Sequence, residues 1–122
     1  MTTTPNVPFV PLPPGVEDYD AWHDWNYEYR LIWGAAREVQ SWPHDGHVGD
    51  ERSIIVAPCA AQLPDGSVAT DERASNAPVI VLQGKNADGA LRDLLTVPAS
   101  RARELASALL EAADELDGWA GR

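Results

Sequence analysis

Arg52 to Leu63 reads RSIIVAPCAAQL. Apolar residues follow one another through its middle, so neither face of an extended chain would be polar there. A strand of that kind is buried on both sides, inside a sheet. Pro58 has no N–H and removes one donor from the ladder, which predicts an edge or a bulge at that point. Directly after it, Pro64, Asp65 and Gly66 spell a turn: proline sets φ and Gly66 takes the left-handed position. Ser67 to Thr70 is then expected to return antiparallel.

Toward the C-terminus, DERASN (71–76) is a solvated loop. PVIVLQ (78–83) and ALRDLLTV (90–97) are two further strands, joined by the Gly- and Asn-rich turn GKNADG (84–89). Ser100 is the expected cap of a last element, a helix. Ala102, Leu105, Ala106, Leu109, Ala112, Ala113 and Leu116 recur at helical spacing, and Gly118 is expected to end it. The charges of this helix run against its dipole. Arg101 and Arg103 sit at the positive end, and Glu111, Asp114, Glu115 and Asp117 at the negative end.

Toward the N-terminus, VEDYDAWHDWNYEYRLIW (16–33) carries the aromatic weight of the chain. Asp18 is placed to cap a short helical turn through Tyr19 and Trp22. From Trp25 the period is two: Trp25, Tyr27, Tyr29, Leu31 and Trp33 alternate with Asn26, Glu28 and Arg30, a strand with one aromatic face. A helical face through Trp22, Trp25, Tyr29, Ile32, Trp33 and Ala36 competes, but Tyr27 and Leu31 fall off it and Gly34 interrupts it. Arg37 to Ser41 reads as a shorter strand after a turn at Gly34.

Before that lies PNVPFVPLPPG (5–15), with prolines at 5, 8, 11 and 14. Three residues per turn put those prolines on one edge of a polyproline II helix. A stiff apolar strip is expected to be a strap packed on its own protomer or on a second one, with Phe9 and Leu12 as anchors. The expected organisation is thus a Pro-rich extended segment, 1–15, and one α+β domain, 16–122. That domain is an antiparallel sheet of five to six strands with one long C-terminal helix packed on one face.

The chain carries 19 acids against 9 bases among 122 residues, a net charge of −10. Phosphate binding needs clustered Lys and Arg, and here only Arg101 and Arg103 come close together, so direct nucleic-acid binding and binding to anionic membranes are not expected. No apolar run spans a bilayer and no signal peptide is visible. Cys59 stands alone, so no internal disulfide forms. A cytoplasmic location is expected.

Little of the chain carries chemistry. His44 and His47, in the loop HDGH, could hold a metal with Asp45, Asp50 or Glu51, but no third ligand is fixed by spacing. Cys59 sits among Pro58, Ala60 and Ala61, which suits a buried structural thiol rather than a nucleophile. No glycine-rich phosphate loop and no nucleophile elbow occurs, and no cofactor is expected. Four of the five tryptophans, Trp22, Trp25, Trp33 and Trp42, fall within 21 residues. Such a concentration builds either a small core or a binding hot spot. The segment LTVPASRARELASALLEAADELD (95–117) resembles the strand-then-helix ending of small uncharacterised proteins of actinobacteria and their phages. That resemblance implies an accessory or host-interaction role and transfers no active site; the Arg and Ala bias (8 Arg to one Lys, 18 Ala) agrees with a GC-rich genome.

The reading that results is a non-enzymatic interaction protein, homodimeric, that binds a host or other cellular protein. Phe9, Leu12, Trp22, Trp25, Tyr27 and Trp33 are its candidate contact residues. Two alternatives stand beside it: a metal-dependent hydrolase built on His44 and His47, and an acidic DNA mimic that occupies a nucleic-acid-binding protein.

Overall fold

A computed structural model describes residues 9–22, 28–40 and 51–121. The elements in chain order are β1 (Asp18–Tyr19), β2 (Arg30–Trp33), β3 (Arg37–Gln40), β4 (Glu51–Gln62), β5 (Val79–Asn86), β6 (Leu91–Val97) and α1 (Ala99–Ala120). The strands form one six-stranded sheet in the order β1-β2-β4-β5-β6, with β3 also on β4, and every pairing is antiparallel. The fold is α+β, as the sequence predicts.

The apolar run 52–63 is the spine of the sheet. β4 is its longest strand, 12 residues, and pairs along both edges. One edge meets β5, from Glu51↔Asn86 to Cys59↔Val79. The other edge is shared by β2, opposite Cys59–Gln62, and β3, opposite Ser53–Val56. Between β2 and β3 the neighbouring strand breaks at Gly34–Ala36, and Pro58 lies opposite the break. Gly34 donates its N–H to the Pro58 carbonyl at 3.0 Å. The N and C=O of one extended residue point to the same side, so the donor that Pro58 lacks falls in this gap. The expected irregularity is therefore in the neighbour rather than in β4. A Cβ on Gly34 would lie 2.7 Å from the Pro58 ring, which explains glycine at that position.

Gly66 has φ +94°, as the PDG turn requires, and its N–H closes the turn on the Leu63 carbonyl at 2.9 Å. Asp65 accepts from both the N–H and the hydroxyl of Ser67 (2.9 and 2.6 Å), and these bonds hold its carboxyl below the usual range. The expected return strand after this turn is reduced to one bridge, Gln62↔Val68. Asp18 caps no helix: it is paired in β1 opposite Trp33. Its carboxylate takes the N–H of Tyr19 instead.

α1 begins and ends otherwise than its sequence signals suggest. Pro98 is the N-cap, in extended conformation, and its carbonyl accepts the first helical bond from Ala102 at 2.9 Å. Ser100 lies inside the first turn and turns its hydroxyl to the Glu72 carboxylate. Gly118 does not stop the helix, since a lone interior glycine weakens a helix by only about 1 kcal/mol. The helix runs on to Ala120, and the Gly121 N–H closes it on the Asp117 carbonyl.

Contact between helix and sheet is narrower than a helix packed along a face. α1 meets the sheet at β5. Ala99, Ala102 and Leu105 are half-buried, and no residue of the helix is buried. Past Leu105 the helix extends away from the sheet with its apolar residues in solvent. Among the described residues the buried apolar ones, Trp22, Ile32, Cys59 and Ala61, lie around β2 and the last third of β4.

Candidate functional site

Two places on this fold hold side chains in arrangements that local packing alone does not require. The first lies where β2 meets the end of β4. Cross-strand pairing sets Arg30 opposite Gln62 and Ile32 opposite Ala60, with Tyr19 of β1 opposite Ile32. These five residues share one face of the sheet, and the strap crosses it. Arg30 donates from Nη2 to the Val10 carbonyl at 2.7 Å and from Nε to Gln62 Oε1 at 2.9 Å. Gln62 donates from Nε2 to the carbonyls of Pro11 (2.8 Å) and Gly66 (3.3 Å). The guanidinium is also stacked, 5.1 Å from the Tyr19 ring centre and 4.8 Å from that of Trp22.

The chemistry of this clamp follows from the conformation that prolines impose. A polyproline II chain makes no internal hydrogen bonds, so its carbonyls are free acceptors. A buried guanidinium and a buried amide, joined to each other, supply fixed donors to two consecutive carbonyls. Gln62, 1 % exposed, uses both of its amide protons and its oxygen.

The strap is thus held by its backbone. Phe9 is 98 % exposed and does not anchor it within the protomer as the sequence suggests, whereas Leu12 is 37 % exposed. Downstream, the strap turns at Pro13–Val16, where Gly15 has φ +88° and Val16 donates to the Pro13 carbonyl.

The second place is the side of α1 and β6. β6 is the last strand of the sheet, and Leu91, Leu94 and Leu95 are exposed on it. The register shifts between Leu82 and Gln83, whose partners are Leu95 and Asp93, so Leu94 is left without an opposite residue. On α1, Leu109, Leu110, Leu116 and Trp119 are 58–67 % exposed.

Between these regions, an apolar cleft of about 270 Å³ opens among the Pro14–Val16 turn, β2, β4, β5 and the start of α1. Val16, Trp33, Pro58 and Ile80 line it, and Cys59 is the one titratable side chain among its described lining residues. Burial, with Asp20 adding to it, pushes the Cys59 thiol up to about 11, so it is a neutral thiol at physiological pH. The cleft can receive an apolar group, and its described lining carries no group poised for acid–base or nucleophilic work.

The predicted contact residues are thereby divided. Trp22 is buried against Arg30, and Trp33 is half-buried in the cleft wall. Phe9 faces outward, and Leu12 is partly covered. Trp25, Tyr27, His44 and His47 lie outside the described residues, and among the described residues no group of three His, Cys, Asp or Glu could hold a metal ion.

Arg30 and Gln62 are the clamp residues that sequence reading missed. Alternation assigned Arg30 to a polar face with Asn26 and Glu28, yet the same face carries Ile32, and that apolar neighbour was the available signal. No family model matches the chain, no curated protein matches its sequence, and no solved structure matches its fold.

Proposed function

We propose that the chain is a non-enzymatic protein-binding module that works as a homodimer, with its self-contact on the side of α1 and β6. The observation that carries this reading is a 22-residue amphipathic helix with no buried residue, which follows an edge strand that exposes three leucines. An apolar stripe left in water contributes nothing to folding, whereas burial against a partner contributes about 25 cal/mol per Å².

The strap supports the same reading from the other end. Pinned through Val10 and Pro11, it holds Phe9 outward on a stiff chain. An ordered apolar edge of that kind suits a host or cellular protein partner, since little entropy remains to be lost on binding. Sedimentation at tens of micromolar (roughly where a moderate interface is filled) is the test. A species of twice 13.2 kDa is expected, and a monomer at that concentration overturns the homodimer. Stoichiometric zinc in the purified protein, lost in H44A/H47A, would replace the reading with the hydrolase.

A further inference from the structure

We infer that α1 pairs antiparallel with α1 of a second copy, through a heptad seam of Ala102, Leu105, Leu109, Ala112, Leu116 and Trp119. The inference rests on the homodimer reading and specifies its interface. The six positions are spaced 3-4-3-4-3, the repeat that keeps one stripe facing a partner helix. Trp119 joins the seam because the helix continues through Gly118. Ala102 and Leu105 are only half covered, and the four positions after them are exposed.

Three observations identify the occupant as another copy of the same helix. The first is charge. α1 has no acid in its first turn and no base in its last turn. Arg101 and Arg103 mark one end, where Glu104 pairs with Arg101 at 2.8 Å; Glu111, Asp114, Glu115 and Asp117 mark the other. Within one helix this order opposes the dipole. Beside an antiparallel copy the same order is favourable twice over. Each basic end lies next to the partner's acidic end, and the two dipoles oppose each other. A parallel pair would set acids beside acids.

The second observation is volume. A two-fold axis midway along the seam places Leu109 against the partner's Ala112, Leu105 against the partner's Leu116, and Ala102 against the partner's Trp119. Large side chains meet small ones at two levels and leucine meets leucine between them, as close packing asks. The third is the flank of the seam. Ala106, Ala113 and Ala120 border it on one side and Ala108, between Arg101 and Glu115, on the other, and small residues at a helix contact let two axes approach to about 8 Å.

The experiment is cysteine cross-linking in a C59S background, with circular dichroism to confirm that each variant is folded. L105C/L116C is expected to oxidise to a covalent dimer. L105C alone and L116C alone are expected to stay unlinked, while a mixture of the two single variants links. Residues 105 and 116 of one helix are roughly 16 Å apart at 1.5 Å rise per residue, so they cannot link within a chain. Should L105C fail to fold, A102C/W119C carries the same test on the outermost pair.

Efficient linking of a single variant to itself would show parallel or unspecific contact and overturn the inference. A dimer by sedimentation that the paired cysteines never trap would place the interface elsewhere: the helix pairing falls and the homodimer reading stands. A monomer throughout overturns both.

Discussion

The two ends of this sheet hold similar apolar material in opposite ways. At the β2/β4 end, Ile32, Cys59, Ala61 and Trp22 are buried, and the polar groups beside them, Arg30 and Gln62, are bonded into the same network. At the α1/β6 end, leucines of equal hydrophobicity stand in solvent. The difference lies in what the chain supplies as cover. The strap returns over the first end and brings acceptors for the donors there. Nothing in the described chain returns over the second. Burial at the first end therefore stabilises the protomer, while the apolar area at the second is left open by the described residues.

Substitutions at the two ends should separate these roles, and Q62A is the largest expected effect. It leaves Arg30, in a buried site, without its amide partner and frees the Pro11 and Gly66 carbonyls. We expect a loss of about 3 kcal/mol, roughly 10 °C in Tm, read by thermal melting. A loss under about 1 kcal/mol would mean that the clamp is not the fixed point of this end.

Cys59 probes the same end by rate. A thiol raised from 9.0 to about 11 should react with a thiol reagent at pH 8 about 100-fold more slowly in native than in unfolded protein, since the thiolate is the reacting form. The sign for stability follows. The unfolded chain gives up this proton first, so the linked stability is whole below about pH 9 and falls as pH rises toward 11. Labelling at the unfolded rate would show this end open and erase the contrast.

Removal of residues 1–12 takes away the Val10 and Pro11 carbonyls and should lower stability by about 1–2 kcal/mol, with a change in tryptophan fluorescence as Arg30, over the Trp22 ring, loses its Val10 acceptor. An unchanged melt and spectrum would show that the clamp is complete without the strap.

The smallest effect on the protomer is expected from L116A. Under conditions where the chain is monomeric, it should alter stability by less than about 0.5 kcal/mol, because the side chain is already exposed. The same substitution should weaken the dimer, measured by sedimentation. A large loss of monomer stability would mean that this end has cover within the chain, and the comparison would fail.

Much of the fold is legible in local chemistry. Alternation, consecutive apolar runs and turn residues locate β3, β4, β5 and β6, and helical spacing locates α1, because each signal acts within a few residues. The strap is legible as a stiff extended strip for the same reason: proline fixes φ wherever it stands. The ends of α1 are less legible. Ser100 and Gly118 carry cap-like identities, but Pro98 takes the N-cap, and one glycine is too weak to end a helix.

What the tertiary structure alone decided is which polar groups are buried and which apolar groups are not. Arg30 and Gln62 stand 32 residues apart, and only the antiparallel register of β2 on β4 sets them side by side under Val10 and Pro11. That placement turned the strap over, so that its backbone is held and Phe9 points outward. The stripe on α1 looks the same in sequence whether a sheet covers it or not. Its exposure depends on where the helix leaves β5, a geometric fact that no periodicity within the helix encodes.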